Sequence, residues 1–266
     1  MGANLMIKNA TQLITCSGFK AKKGSEMAKL GVIEDGAVII EGGRIQSVGR
    51  TQEILSGSNS SGYDILDASG KAVLPGFVDS HTHFVFAGYR AEEYNWRLCG
   101  DSYMDIMQKG GGILSTVSAT RSAEMSDLVA TGHRRLDAML SLGVTTVEGK
   151  SGYGLDLETE MKQLEVMRIL NREHPVDIVP TFMGAHAVPP EYKGVEENYI
   201  DFMIDEVMPE VARRRIAEFC DVFCEKNVFS IDQSRRLLRK AYDLGFKLKI
   251  HADEIVAMGG TELAVE

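Results

Sequence analysis

The 266-residue sequence has no stretch that approaches the ~20 consecutive apolar residues of a membrane-spanning helix. Its N-terminus also lacks the basic segment followed by an apolar one that marks a secretory signal. We therefore expect a cytosolic protein without a membrane partner.

An excess of basic residues is also missing. The 29 Lys and Arg residues are outnumbered by 38 Asp and Glu residues, and the formal net charge is -9. A protein that binds nucleic acid needs a basic face for the phosphates, so this balance argues against a nucleic-acid partner. A small anionic substrate stays compatible with it if a local arginine receives the anion.

Cysteines are few and scattered, at Cys16, Cys99, Cys220 and Cys224. Free thiols are ordinary in a reducing compartment, and the spacing is not that of a disulfide framework. Cys220 falls on a predicted strand and Cys224 comes directly after it; on a strand, their even spacing would place both side chains on one face. We interpret them as small buried residues rather than as metal ligands.

The sequence pattern changes near residue 70. Residues 1–70 have the pattern of a small β-rich domain, in which Gly42 and Gly43 supply the turn of a hairpin. From residue 71 onward, predicted strands alternate with amphipathic helices, which indicates a parallel sheet. Ser126 is the expected N-cap of the first long helix. The predicted strands are 72–78, 144–148, 177–183, 219–223 and 247–251, and the predicted helices include 126–140, 157–170 and 233–244.

The most informative motif is an apolar strand that ends in His81-Thr-His83. Side chains two residues apart on a strand point to the same side, so both imidazoles can reach one metal ion. An isolated pair of this kind is more often structural, but His251 ends a later predicted strand. In a TIM barrel, the carboxyl ends of the parallel strands meet at one face, and the catalytic residues lie there. Three imidazoles and an oxygen ligand accept either zinc or iron.

Segment 73–83 resembles the first barrel strand of the metal-dependent amidohydrolase superfamily, and the β-rich segment before it resembles the flanking domain of that superfamily. The resemblance implies an α/β fold: a partial TIM-type (β/α)8 barrel of the amidohydrolase kind. Residues 71–266 would contain its first five βα units, and residues 1–70 a small, incomplete β-sandwich-like domain. Within the superfamily, five further segments resemble the imidazolonepropionase family of histidine degradation: 81–93, 110–113, 148–155, 182–192 and 250–255.

The resemblance also implies roles for individual residues. The metal ligands would be His81, His83 and His251, holding one divalent or trivalent ion, Zn or Fe. The substrate-binding residues would be Arg90, Tyr153, His186 and Glu254. A guanidinium such as that of Arg90 can grip a carboxylate with two hydrogen bonds, which suits a propanoate group. Glu254 would also be catalytic, because it matches a glutamate that handles a proton near the substrate ring.

The implied activity is hydrolysis of the cyclic amide C–N bond of 4-imidazolone-5-propanoate, a small molecule, to N-formimidoyl-L-glutamate. The family places a metal aspartate and a further histidine on later strands that these 266 residues do not include. We therefore expect this length of chain to be poorly folded or inactive by itself. Two alternatives stay open: another amidohydrolase such as an aromatic deaminase, and a catalytically inactive fragment. The family tendency to dimerise makes a homodimer the expected assembly.

Overall fold

A computed structural model describes residues 4–18, 20–57, 62–102, 105–106, 109 and 111–266. Gly110, which begins one of the motifs above, lies outside the described residues. The chain forms two compact units, Met1–Gly76 and Phe77–Glu266. We take these units as candidates for the two predicted domains. None of the described helices is long and apolar enough to cross a membrane.

The first unit is a five-stranded sheet in the order β3-β2-β1-β4, with β5 also paired to β1. β2 runs antiparallel to β1 and β3, whereas β4 and β5 run parallel to β1. The predicted hairpin is confirmed, because Gly42 and Gly43 both have positive φ between β2 and β3. The elements are β1 (Leu5–Ile14), β2 (Val32–Glu41), β3 (Arg44–Arg50), α1 (Thr51–Gly57), β4 (Asp64–Asp67) and β5 (Ala72–Val73), with a 3-10 turn at Gly24–Ala28.

The second unit is a parallel sheet in the order β10-β9-β8-β7-β6, and β11 pairs with β9. Its strands are β6 (Phe77–Thr82), β7 (Val144–Lys150), β8 (Asp177–Ala185), β9 (Phe219–Cys224), β10 (Lys247–Leu248) and β11 (His251–Ala252). Its α-helices are α2 (Ala91–Leu98), α3 (Ile113–Ser122), α4 (Met125–Ser141), α5 (Leu157–Glu173), α6 (Glu196–Phe202), α7 (Met208–Arg214), α8 (Ile231–Asp243) and α9 (Gly260–Leu263). The described residues also form a 3-10 turn at Pro190–Tyr192 and a π-helical turn at Met203–Val207.

Apolar side chains of the sheet and of its helices form one core in the second unit. Leu136 of α4, Leu164 of α5 and Val222 of β9 are fully buried in it. Cys220 and Cys224 are free and buried, so their interpretation as small buried residues is confirmed. The predicted alternation of strands with amphipathic helices is therefore confirmed as the source of the core.

Three details of the sequence prediction were wrong. The predicted strand 72–78 is interrupted, because Pro75 has no N–H for a ladder hydrogen bond. Its first part pairs with β1 and its second part with β7, in different units. The predicted strand 247–251 is likewise two short strands, β10 and β11. Helix α4 begins two residues earlier than expected: its N-cap is Glu124 rather than Ser126, and the carbonyl of Glu124 accepts the first backbone hydrogen bonds.

Candidate metal and substrate site

The three candidate metal ligands come from opposite edges of the second sheet. His81 lies on β6 and His251 on β11, which pairs with β9 on the far side. Flat strands about 4.8 Å apart would hold β6 and β10 roughly 19 Å from each other. The Nε2 atoms of His81 and His251 are 2.6 Å apart, and their ring centroids are 4.3 Å apart. The sheet is therefore strongly curled, as the wall of a barrel is.

His83 belongs to a second group of rings, which also lies at the carboxyl ends of the strands. Its ring stacks on that of His186 at 4.5 Å, with planes 10° apart, and lies 5.1 Å from the ring of Tyr153. Phe223 connects this group to the first, because its ring lies 6.3 Å from His186 and 5.9 Å from His251. Five of the seven residues selected from the sequence thus line one continuous wall.

His186 has a defined hydrogen bond and a defined charge state. Its Nδ1 lies 2.9 Å from the carbonyl oxygen of Gly152, which can only accept, so Nδ1 donates. Burial lowers the pKa of His186 to about 4, although the Gly152 carbonyl acts in the opposite direction. The ring is therefore neutral near pH 7, and its Nε2 carries a lone pair.

The loop that carries Tyr153 is held from helix α5. Oε1 of Glu160 accepts hydrogen bonds from the backbone N–H groups of Gly152, Gly154 and Leu155 at 3.1, 2.9 and 2.9 Å. Gln163 accepts from the N–H of Tyr153 at 3.2 Å. Both helix side chains are fully buried. Burial raises the pKa of Tyr153, and the charges of Arg90 and Arg135 lower it in part, so the phenol keeps its proton at neutral pH.

Arg90 and Glu254 are less enclosed than the other candidates. Arg90 is exposed just before α2, and its Nη1 lies 3.9 Å from Oε2 of Glu93. Glu254 is exposed in the segment that follows β11. Within the described part of the chain, no hydrogen bond or ion pair links Glu254 to the three histidines. The charge of Arg90 acts on the pKa of Tyr153, whereas Glu254 makes no such hydrogen bond or ion pair with the histidines.

A buried charge network lies against His251. Lys150 Nζ donates to Glu148 Oε1 at 2.8 Å and to Asp221 Oδ2 at 2.7 Å, and all three side chains are at most 3% exposed. Asp221 Oδ2 also lies 2.9 Å from His251 Nδ1. Lys249 Nζ lies 2.7 Å from Glu148 Oε1. Two ammonium groups thus face two carboxylates in this network.

Both carboxylates of this network have lowered pKa values. Burial alone would raise the pKa of Asp221, but the hydrogen bond to His251 and the charges of His251 and Lys150 lower it to about 2. Burial also acts to raise the pKa of Glu148, and hydrogen bonds from Lys150, Lys249 and Thr181 outweigh it. Both groups are ionised at neutral pH, so they act only as hydrogen-bond acceptors.

Among the described residues, no group of three or more His, Cys, Asp or Glu side chains is arranged to hold a metal ion. The donor atoms nevertheless fit one. His81 and His251 direct Nε2 atoms at each other, and the buried Nδ1 of His83 has no hydrogen-bond partner in the described chain. Two imidazoles bound to zinc at about 2.0–2.1 Å have nitrogens roughly 3.4 Å apart at the tetrahedral angle. Moving the rings of His81 and His251 apart by less than ~1 Å would give their nitrogens that separation.

The sequence is similar to curated proteins over almost its whole length. "Imidazolonepropionase" of Clostridium tetani is 59% identical over 99% of this chain, and "Imidazolonepropionase" of Parabacteroides distasonis is 58% identical over 98%. The chain is a homologue of the imidazolonepropionases. It spans about 63% of the length of each of these two relatives. Residues 64–109 also match the amidohydrolase family Amidohydro_3.

Solved structures support the fold. A 5-methylcytosine deaminase from Klebsiella pneumoniae liganded with phosphonocytosine matches with a TM-score of 0.61 at 16% identity, over 94% of this chain and 52% of that one. A triazine hydrolase matches with a TM-score of 0.56 at 14% identity, over 96% and 54% of the two chains. The predicted fold class, a partial barrel of the amidohydrolase kind, is confirmed. At this level of identity the likeness concerns the fold alone.

Three residues near the site were not selected from the sequence: Glu148, Lys150 and Asp221. A signal for the first two was present in part: Glu148 ends the predicted strand 144–148, and Lys150 lies two positions further on, where the observed strand continues and places both on one side. Asp221 comes from a strand 71 positions further along the chain. Its pairing depends on the order and curl of the strands, which no local pattern encodes.

Proposed function

We propose that the protein catalyses the metal-dependent hydrolysis of the cyclic amide C–N bond of 4-imidazolone-5-propanoate to N-formimidoyl-L-glutamate. The observation that carries the proposal is the meeting of His81 and His251 across the curled sheet, with the ring of His83 in the adjoining cluster. The name of relatives that are 54–59% identical supports the choice of substrate. The relatives that carry this name are longer, and this chain spans about 63% of the length of two of them.

We further propose His81, His83 and His251 as the residues that would hold one zinc or iron ion. When bound, such an ion would lower the pKa of a water molecule and polarise the substrate carbonyl. Imidazole nitrogens suit both metals, so the donor set does not choose between them. The neutral imidazoles that a metal needs are favoured by burial, which lowers the pKa of His81 and, more strongly, of His83.

The remaining candidates would bind and orient the substrate. The exposed guanidinium of Arg90 offers a planar fork to the propanoate carboxylate. Tyr153 offers a protonated phenol, and His186 offers a lone pair on Nε2 to an N–H group of the imidazolone ring. Glu254 would transfer a proton to the departing ring nitrogen, and its segment would have to approach the rings for this step. The roles of these four residues stay predictions.

Cell compartment and assembly are also part of the proposal. A cytosolic protein agrees with the four cysteines, all of which are free thiols. The homodimer stays a prediction, as does the absence of a nucleic-acid partner.

The test uses the purified 266-residue chain and a chimera in which the part of the Clostridium tetani relative that this chain does not span is fused to its C-terminus. Metal content is measured by atomic emission, and product formation from imidazolonepropanoate by mass spectrometry. His81→Ala should abolish metal binding and turnover, whereas His133→Ala, a change on the surface of α4, should not. Arg90→Met should raise KM by about 10- to 100-fold through the lost charged hydrogen bonds.

The outcomes separate the alternatives. Turnover by the chimera but not by the 266-residue chain would mean that this chain is an inactive part of an active enzyme. Release of ammonia from an aromatic base, without opening of the imidazolone ring, would replace the proposal with the deaminase alternative. A chimera that folds, binds metal and leaves both kinds of substrate unchanged would contradict the proposed function.

A further inference from the structure

Both carboxylate oxygens of Asp221, on β9, have hydrogen-bond partners. Its Oδ1 accepts from the N–H of Val222 at 2.8 Å. Its Oδ2 accepts from Lys150 Nζ at 2.7 Å and faces His251 Nδ1 at 2.9 Å. An ionised carboxylate has no proton to donate, so Nδ1 of His251 must be the donor in that contact. In the neutral imidazole the lone pair of His251 is then on Nε2, the atom that faces His81.

Lys150 holds Asp221 in this orientation. Its side chain is 1% exposed, and its ammonium group lies between Asp221 and Glu148. A buried lysine in contact with two carboxylates has little freedom to move, because any other position would leave a charge unpaired. The aspartate is thus fixed from two directions, by the lysine and by the backbone of β9.

We propose that Asp221 is a positioning residue for His251: it selects the Nδ1–H tautomer, turns Nε2 toward His81, and is itself held by Lys150. The inference rests on the proposed function in so far as Nε2 of His251 is taken as a metal-binding atom. Loss of a carboxylate that orients a metal-binding histidine in this way typically lowers metal affinity by about 10- to 100-fold. We expect a loss of that size here.

The alternative is that the network only stabilises the fold, so the test needs a readout that stability does not change. The chain has 6 histidines, which makes the nitrogen spectrum of a chain labelled with ¹⁵N-histidine simple to interpret. His251→Gln identifies the resonances of His251. At about pH 8, where imidazoles are neutral, the two tautomers differ in which ring nitrogen carries the proton. The measurement is made on the metal-free chain.

The variant for comparison is the pair Lys150→Met with Asp221→Val. It removes one positive and one negative buried charge together and leaves Glu148 paired with Lys249, so no buried charge is left unpaired. Thr181→Val is the matched control, because it removes a buried hydrogen bond to Glu148 without touching His251. Zinc affinity of each chain is measured by competition with a chromophoric chelator.

We expect the unchanged chain to show Nδ1–H at His251, the double variant to show Nε2–H, and Thr181→Val to match the unchanged chain. Zinc affinity should fall by about 10- to 100-fold in the double variant alone. An Nε2–H tautomer in the unchanged chain, or equal zinc affinity in all three chains, would overturn the inference. If the tautomer changes as expected but no chain binds zinc, the positioning by Asp221 stands and the proposed metal site fails.

Discussion

Replacement of Glu160 should release the loop that carries Tyr153. The carboxylate of Glu160 is fully buried and accepts hydrogen bonds from three backbone N–H groups, those of Gly152, Gly154 and Leu155. Glu160→Ala leaves all three donors without a partner. Each unsatisfied buried donor costs about 1–3 kcal/mol. Because the change also removes the cost of burying a carboxylate, we expect a net loss of about 3 kcal/mol in the free energy of opening this loop.

Amide hydrogen exchange measures this local effect directly. A loss of about 3 kcal/mol corresponds to roughly 100-fold faster exchange at residues 152–155. The amides of β7 should keep their protection, because their partners are the neighbouring strands. Glu158→Gln is the matched control, since Glu158 is exposed in the first turn of the same helix. Exchange in Glu160→Ala within about threefold of the unchanged chain would refute the reasoning.

Ionisation of Glu160 should also make the free energy of unfolding depend on pH, with a definite sign. Burial raises the pKa of Glu160 above its ordinary value of 4.5, and hydrogen bonds from Ser151 and the loop amides offset only part of that effect. Between the unfolded and the folded pKa, the folded chain binds more protons than the unfolded chain. The free energy of unfolding contributed by this group is therefore largest below pH 4.5 and falls as pH rises through the folded pKa.

The side chain of the Glu160→Gln variant does not titrate, so comparison with this variant isolates the contribution of Glu160 ionisation. The unfolding free energy of the unchanged chain minus that of the variant, measured by urea denaturation, should decrease from acid to neutral pH. A difference that increases with pH would show that the hydrogen bonds to the carboxylate outweigh its burial.

Three further predictions concern the core, a close backbone contact and the metal. Leu164→Ala, in the fully buried core, should lower the free energy of unfolding by about 3 kcal/mol, whereas Leu142→Ala, at a residue that is 76% exposed, should change it by under about 0.5 kcal/mol in urea denaturation. Gly154→Ala places a Cβ 2.6 Å from the backbone nitrogen of Glu160, so its melting temperature should fall well below that of Gly57→Ala, where no atom lies within 4 Å. Zinc at about 100 times its dissociation constant should stabilise the chain by about 2.7 kcal/mol, and a chelator should remove that gain; an unchanged melting temperature would count against the metal site.

Local patterns were sufficient for much of the fold. Alternation of apolar strands with amphipathic helices predicted the parallel sheet, because periodicity reports which face of an element is buried. Gly42 and Gly43 predicted the hairpin, since the turn needs positive φ at both positions. The element ends were predicted less well. Pro75 interrupts a run that reads as one strand, and the first long helix begins before Ser126.

The candidate site was predicted in part. Five of the candidates lie together at the carboxyl ends of the strands, as expected for a parallel sheet: His81, His83, Tyr153, His186 and His251. The functional roles of these residues stay predictions. Resemblance to a family, rather than spacing, selected Tyr153 and His186 from the other loop residues.

The sequence by itself determined the class of elements, the histidine pair at a strand end and the buried cysteines, because each depends on neighbours a few positions away. Only the tertiary structure decided which distant groups meet. Lys150 contacts Asp221 across 71 positions, and His81 faces His251 across 170. Such contacts depend on strand order and on the curl of the sheet, and these result from the packing of the whole unit rather than from any short segment.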